Sequence, residues 1–357
     1  MSKKLFIFIS MFLLLAAFAC QNDDTATVDN TAAVDNTAAV DIKVSATVPM
    51  ISEWANKVSG TRVTVDSIIP HSTNPHGYQP GAKDVAKFSE SDLILAIGLV
   101  YEEAWLDKLI DSHSDIKLIE LGEFVDPIKA RQYEDEHDEH DEHDEHDEHE
   151  EHKEGDKEHE EHEEHKEGDK EHEEHEEHEG HDHGHGEFDP HFWFDPIRVT
   201  KAVSQIAAGL TEIDPEGKEY YESNAKAYID ELIELDKFVS SELSKISHAL
   251  MTEHDSLGYL GDRYGIEILK AIIPSTNSEA GSTAKDLIDA VRLIDDHEVT
   301  VILLEREVTS DVALTVADEA GIGVASGLNV ESLGIGQSYV DFMKKNIDVI
   351  VSNLAKN

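Results

Sequence analysis

The sequence predicts an α/β fold of two lobes with mostly parallel sheets, joined by one long helix. Three observations predict it. Strand and helix patterns alternate from Ile42 to Leu121. One helical pattern then runs through residues 215–247, and the strand–helix alternation resumes after it. Alternation of this kind builds a parallel sheet wrapped by helices.

In order, "IKVSATV" alternates as a strand, and "PMISEWANKVSG" reads as a helix with Pro49 at its start and Gly60 as its stop. "RVTVDSII" is a second strand, "AKDVAKFSES" a helix, "DLILAIG" a buried strand, "EEAWLDKLIDS" a helix and "IKLIEL" a strand. Residues 196–211 read as helix. Across 215–247, Tyr220, Tyr221, Ala225, Tyr228, Leu232, Leu235, Phe238, Val239 and Leu243 recur at helical spacing. Some 30 helical residues span roughly 45 Å, enough to join two lobes. Beyond it, "HALMTEH", "IEILKAII", "VTVILLE" and "IGVAS" are expected as strands, and 256–264, 282–297, 311–320 and 337–354 as helices.

The 357 residues carry a formal net charge of −49. No Lys/Arg cluster is present to neutralise phosphates, which excludes nucleic acid as a partner. Carboxylates and imidazoles point to cations instead. The opening "MSKKLFIFISMFLLLAAFAC" has a basic start and a short apolar core, which reads as an export signal over residues 1–19 and not as a buried helix. Cys20 is the single cysteine, so no disulfide forms within the chain. Its place at the end of the apolar core suits a lipid anchor. Ala17-Phe18-Ala19 also suits an ordinary signal peptidase cutting at the same bond. Residues 20–41, with "VDNTAA" twice in tandem, read as a flexible tether. The expected order is then an N-terminal lobe over 42–214, a linking helix over 215–247 and a C-terminal lobe over 248–357. The protein is expected outside the cytoplasm, held at a membrane and monomeric.

A disordered His/Asp/Glu-rich insert, 134–187, interrupts the first lobe. It holds 30 acidic residues against 4 lysines, so −26 of the net charge lies there. Fifteen of the 22 histidines fall between His137 and His185. "DEH" repeats with period 3, and "HKEGDKEHEEHEE" repeats with period 13 from His152 and His165. At 100° per residue a period of 3 spirals around a helix and makes no single face. Neutral imidazoles bind Zn²⁺, Cu²⁺ and Ni²⁺, and neighbouring carboxylates add oxygen ligands. Such sites would be many and loose, because a mobile segment fixes no tetrahedral geometry. The plainer alternative is an acidic spacer.

Seven histidines lie outside the run, and three sit in distinctive local contexts. His76 in "HSTNPHGYQPGAKD" follows the strand "VTVDSII", with Pro75 and Pro80 stiffening its loop; His71 is a weaker competitor. His191 in "FDPHFWFDP" follows the insert, with Asp189 or Asp195 available to orient its imidazole. His254 in "ALMTEHDSLGYLGDRYG" ends a strand, with Asp255 or Ser256 available to cap the next helix. A satisfied core histidine is the competing reading for His254. Glu331 in "GLNVESLGIGQSY" adds a carboxylate. His113, His248 and His297 read as structural. Three imidazoles and a carboxylate at loop edges suit a four-coordinate, borderline-soft metal.

Taken together, "NPHGYQP", "DPHFWFDP" after an acidic histidine-rich insert, "EHDSLGYLGDRYG", "IPSTNSEAGSTAKDL" and "ESLGIGQSYVDFMKKN" occur in an order that resembles the metal-binding solute-binding proteins of bacterial ABC importers, the ZnuA/TroA-like group. The resemblance runs from Ile42 to the C-terminus. It implies two pseudo-symmetric lobes, a rigid linking helix, one metal in the cleft between the lobes, and a membrane permease as partner. His76, His191 and His254 match the family's metal-binding histidines. Glu331 falls where the family usually has the Asp of a DPLG-like motif; here the motif reads Glu-Ser-Leu-Gly. Asn74 and Gln79 stand for the common Asp and Glu of the first motif. Manganese-type members usually have a Glu where His254 stands, and a histidine-rich insert goes with zinc. The resemblance thus implies a zinc receptor, Zn²⁺ ahead of Mn²⁺, Cu²⁺ or Ni²⁺, with the insert collecting, buffering or sensing zinc.

Two rivals come from other classes. A surface metal buffer or adhesin would work through the run and would not need two ordered lobes. A zinc hydrolase would need a positioned base, yet neither HExxH nor Gly-x-Ser-x-Gly occurs. The chain is therefore read as a binding protein and not as an enzyme.

Overall fold

The computed structural model describes residues 37–75, 78–113, 115–131, 186–269, 272, 283–305 and 311–355. The export signal, Cys20, His76 and the histidine run up to His185 lie outside the described residues, as does most of the tether.

Four short strands, β1 (Val44–Ala46), β2 (Val65–Ser67), β3 (Leu93–Ala96) and β4 (Lys117–Glu120), form one parallel sheet in the order β2-β1-β3-β4. Val44 lies opposite both Val65 and Leu93. Every residue of β1 and β3 is buried, as expected of central strands covered on both faces. Helices α1 (Pro49–Ser59), α2 (Ala82–Ser89) and α3 (Glu103–Ser112) connect these strands. α1 begins with Pro49, whose missing N–H is not needed there, and stops at Gly60 with φ 57°. A side chain at Gly60 would also run into the Tyr220 hydroxyl.

α4 (Pro196–Ile213) opens on Asp195, whose carboxylate accepts from the backbone N–H of Ile197 at 2.8 Å and of Arg198 at 3.3 Å. The long helix predicted from residue 215 divides. Pro215–Gly217 is a 3₁₀ turn, and α5 (Lys218–Leu243) carries the helix for 26 residues, about 39 Å. The turn is fixed by Asp214, which takes the Arg62 guanidinium at 2.9 Å and the Tyr221 hydroxyl at 2.5 Å. The recurring residues of the pattern from Tyr221 through Leu243 are buried, except Phe238, which is half-buried. α5 packs on α1, α4 and the last helix, α9 (Tyr339–Leu354).

A second parallel sheet, β5-β6-β7, is built from β5 (Met251–Thr252), β6 (Val301–Glu305) and β7 (Gly323–Leu328). α6 (Gly258–Tyr264), α7 (Ala284–Asp296) and α8 (Asp311–Ala320) connect it. Alternation along β6 sends Val301 and Leu303 into the main core with Phe342 and Ile350 of α9. Ile302 and Leu304 face the other way, with Ile294 of α7 and Val316 of α8. The fold is α/β, with two lobes of parallel strands.

Two local expectations change. "IEILKAII" supplies no strand among the described residues; Ile268 makes only an isolated parallel bridge with Leu250. The helix after His254 starts at Gly258 and is not capped by Asp255 or Ser256, because Asp255 is bonded to Arg131.

Candidate metal centre

His191 sits where the chain leaves the end of the insert. Its turn, Phe192–Phe194, puts three aromatic side chains into the core. The Trp193 indole N–H donates to the Val330 carbonyl at 2.9 Å, and the Tyr339 hydroxyl donates to the Trp193 carbonyl at 2.6 Å. These bonds seat the His191 turn against the loop carrying Glu331. Of the two candidate orienting carboxylates, Asp189 takes the role. Its Oδ1 accepts from the His191 backbone N–H at 2.9 Å and meets Nδ1 at 2.7 Å. Asp195 is committed to capping α4.

His254 follows β5, and the Thr252 hydroxyl donates to its carbonyl at 2.8 Å. Its Nδ1 bonds to Glu305, the last residue of β6. Glu331 lies beyond β7. Its loop is clamped by buried Asn346 of α9, which accepts from the Asn329 N–H at 2.8 Å and donates to the Asn329 carbonyl at 2.6 Å.

Both imidazoles therefore have Nδ1 held by a carboxylate and Nε2 turned to one atom. Glu331 Oε1 is 3.0 Å from His254 Nε2 and 3.4 Å from His191 Nε2. One ligand atom from each of His191, His254 and Glu331 lies within 4.8 Å of the others, and all three residues are buried. Zinc bonds of 2.0–2.1 Å in a tetrahedron place neighbouring ligands about 3.3 Å apart, which is the size of the two spacings from Glu331 to the imidazoles. The Tyr101 hydroxyl donates to Glu331 Oε2 at 3.0 Å, from the opposite lobe.

Burial opposes protonation of His191, but the charges of Asp189 and Glu331 outweigh it and push the imidazole up to about 9. His254 goes up to about 10, burial again being outweighed, here by Glu305 and Glu331. The cluster is a buried group of imidazole and carboxylate donors of the kind that could hold a metal ion, and its carboxylates favour protonation of both rings.

His76 lies outside the described residues. His71 is not in the group; its Nδ1 is 3.2 Å from the Leu333 carbonyl. His113 Nδ1 meets the Leu109 carbonyl at 3.0 Å, and His297 pairs with Glu267 at 2.9 Å, both away from the cluster. Sequence reasoning missed Glu305 and Tyr101. Glu305 had a signal, a carboxylate ending the apolar run "VTVILLE"; Tyr101 had none.

Two parallel-sheet lobes with a buried imidazole–carboxylate cluster on their loops define a solute-binding protein of the metal-receptor class. The sequence model of the family described as zinc-uptake complex component A, periplasmic, matches residues 44–353, and the chain belongs to this family. The "High-affinity zinc uptake system protein ZnuA" of Bacillus subtilis is 30% identical, covering 98% of this chain and 97% of that one. The "Manganese-binding lipoprotein MntA" of Halalkalibacterium halodurans is 24% identical over the full length of both. In fold, the chain is similar to a zinc-bound ZnuA with residues 138–173 deleted, at TM-score 0.66 and 20% identity, covering 88% of this chain and 99% of that one. The protein is thus the exported, metal-binding component of an ABC importer. No helix among the described residues is long and apolar enough to cross a membrane.

Proposed function

We propose that the protein captures Zn²⁺ outside the cytoplasm and hands it to the importer's permease, with His191, His254 and Glu331 as ligands and His76 as the fourth. The observation that carries this reading is the convergence of two Nε2 atoms on one carboxylate oxygen, each imidazole being fixed from behind by a second carboxylate. Imidazole-rich, four-coordinate sites favour zinc over the harder manganese ion, which prefers more oxygen ligands. Cys20 carries the lipid that holds the receptor at the membrane. The histidine run is an accessory that collects, buffers or senses zinc.

The test is a chelator-competition titration of zinc and manganese on the mature chain, on the same chain without 134–187, and on His254→Ala. One tight zinc site that survives removal of the run and is lost in His254→Ala supports the reading. Tight binding that disappears with the run, from a folded protein, makes the run the site and the protein a buffer. A tight site that prefers manganese makes it a manganese receptor.

A further inference from the structure

The two ends of the insert meet in a short antiparallel neck. Lys129 bridges to Phe188, Ala130 N–H donates to the Glu187 carbonyl at 3.0 Å, and Asp189 N–H donates to the Ile128 carbonyl at 3.0 Å. The neck is seated on α6 of the other lobe. The Tyr259 hydroxyl accepts from Ile128 N–H at 3.3 Å and donates to the Asp189 carbonyl at 2.7 Å. Gly258 is what allows this approach, since a Cβ there would lie 2.5 Å from Asp189 Oδ2. One neck strand thus ends in Asp189, which orients His191. The other ends in Arg131. Its guanidinium donates to the Ile268 carbonyl at 2.7 Å and through Nε to Asp255 Oδ2 at 3.1 Å, and its Nη2 meets Asp255 Oδ1. Asp255 directly follows His254.

We propose that Arg131 is a latch between the lobes: a positioning residue that acts through Asp255 on the His254 loop and sets how long the bound ion stays. This rests on His191 and His254 being ligands. Any opening that separates them must part the neck from residues 254–268, and so must break the fork-to-carboxylate pair and the carbonyl bond together. Bidentate, charge-assisted bonds of this type resist separation more than neutral ones. Loss of one partner in such a pair raises the dissociation rate more than it changes the association rate.

The test is stopped-flow release of zinc from the loaded mature chain into excess chelator, with the melting temperature of the metal-free protein measured alongside. Arg131→Ala is expected to release zinc about tenfold faster, the lower end of what supporting residues around metal ligands contribute. Asp255→Asn keeps the side chain's size and is expected to act in the same direction, should Arg131→Ala not fold. The double variant is expected to match Arg131→Ala, since Arg131→Ala already removes the contact that Asp255→Asn weakens. Release within twofold of the unchanged protein in either folded single variant overturns the latch, as does a double variant that multiplies the two effects. If the unchanged protein holds no zinc that His254→Ala loses, the receptor reading fails first. If it holds such zinc and the variants release it at the same rate, the latch alone fails.

Discussion

The Tyr101 hydroxyl donates to Glu331 Oε2 at 3.0 Å across the two lobes, leaving Oε1 to face both imidazoles. The hydrogen bond fixes the carboxylate's rotation, so that one oxygen is offered to an ion and the other is occupied. A hydrogen bond to a charged group contributes roughly 1.5–3 kcal/mol. Tyr101→Phe removes it and keeps the ring, which packs edge-on at 5.4 Å from Trp193. The expected outcome is zinc affinity about tenfold weaker, with the metal-free melting temperature lowered by a few degrees because the bond is also made without metal. Equal affinity in a competition titration would show that Glu331 needs no such support.

Asp189 and Glu305 stand behind the two imidazoles in matching positions, each on an Nδ1. Carboxylates so placed fix the tautomer and make the other nitrogen a better ligand. Asp189→Asn and Glu305→Gln are each expected to weaken zinc binding by roughly 10–100-fold. They touch different rings, yet both rings converge on Glu331 Oε1, so their effects are expected not to add fully. Titration of the two single variants and the pair checks this.

Much of the fold was legible because central parallel strands are covered on both faces and read as apolar runs, as in "DLILAIG". "IEILKAII" has the same composition, yet its described residues form no strand and meet the β5 region through an isolated bridge at Ile268 and the Ile272 N–H, which donates to the Thr252 carbonyl at 3.3 Å. Composition alone does not say how many residues stay in register. His191, His254 and Glu331 were legible because each sits in a turn-rich segment just past a strand or insert. Their supports were not. Glu305 is 51 residues from His254, Arg131 is 124 from Asp255 and Tyr101 is 230 from Glu331. Such pairs are made by the fold and leave no local spacing to read.

Zinc takes neutral imidazole, so binding must displace the Nε2 proton of each imidazolium and leave the Nδ1 proton hydrogen-bonded to its carboxylate partner. In the metal-free protein, His191 and His254 are held up at about 9 and about 10, so both carry protons at pH 7. Loading at pH 7 is therefore expected to release about two protons. Apparent affinity is expected to rise with pH until those values are passed, then to level. Calorimetry in two buffers of different ionisation enthalpy measures the number. Release of well under one proton would mean that the rings are neutral before the metal arrives.

Glu102 offers a separate test of buried charge, on a residue outside the group of His191, His254 and Glu331. Its carboxylate accepts from the Ile97 N–H at 2.7 Å, the Gly98 N–H at 2.9 Å and the Thr47 hydroxyl at 2.6 Å. These bonds tie down a turn in which Gly98, Leu99 and Val100 all have positive φ, at 75°, 56° and 68°. Non-glycine residues persist there only when the surroundings hold them. Burial nevertheless wins over the hydrogen bonds and pushes Glu102 up to about 7 from 4.5. The folded state thus binds the proton more tightly than the unfolded chain. The stabilisation is complete below pH 4.5 and is lost as pH rises through 7, on the order of 3 kcal/mol in all. Glu102→Gln cannot ionise, so it lacks this dependence, though it also gives up one acceptor oxygen to the turn. Relative to the unchanged protein, the variant is expected to be less stable at pH 4.5 and to recover ground steadily up to pH 8. Urea unfolding of both metal-free proteins across that range measures the difference. A stability gap that does not change with pH would mean that Glu102 stays charged throughout and that its three hydrogen bonds outweigh its burial.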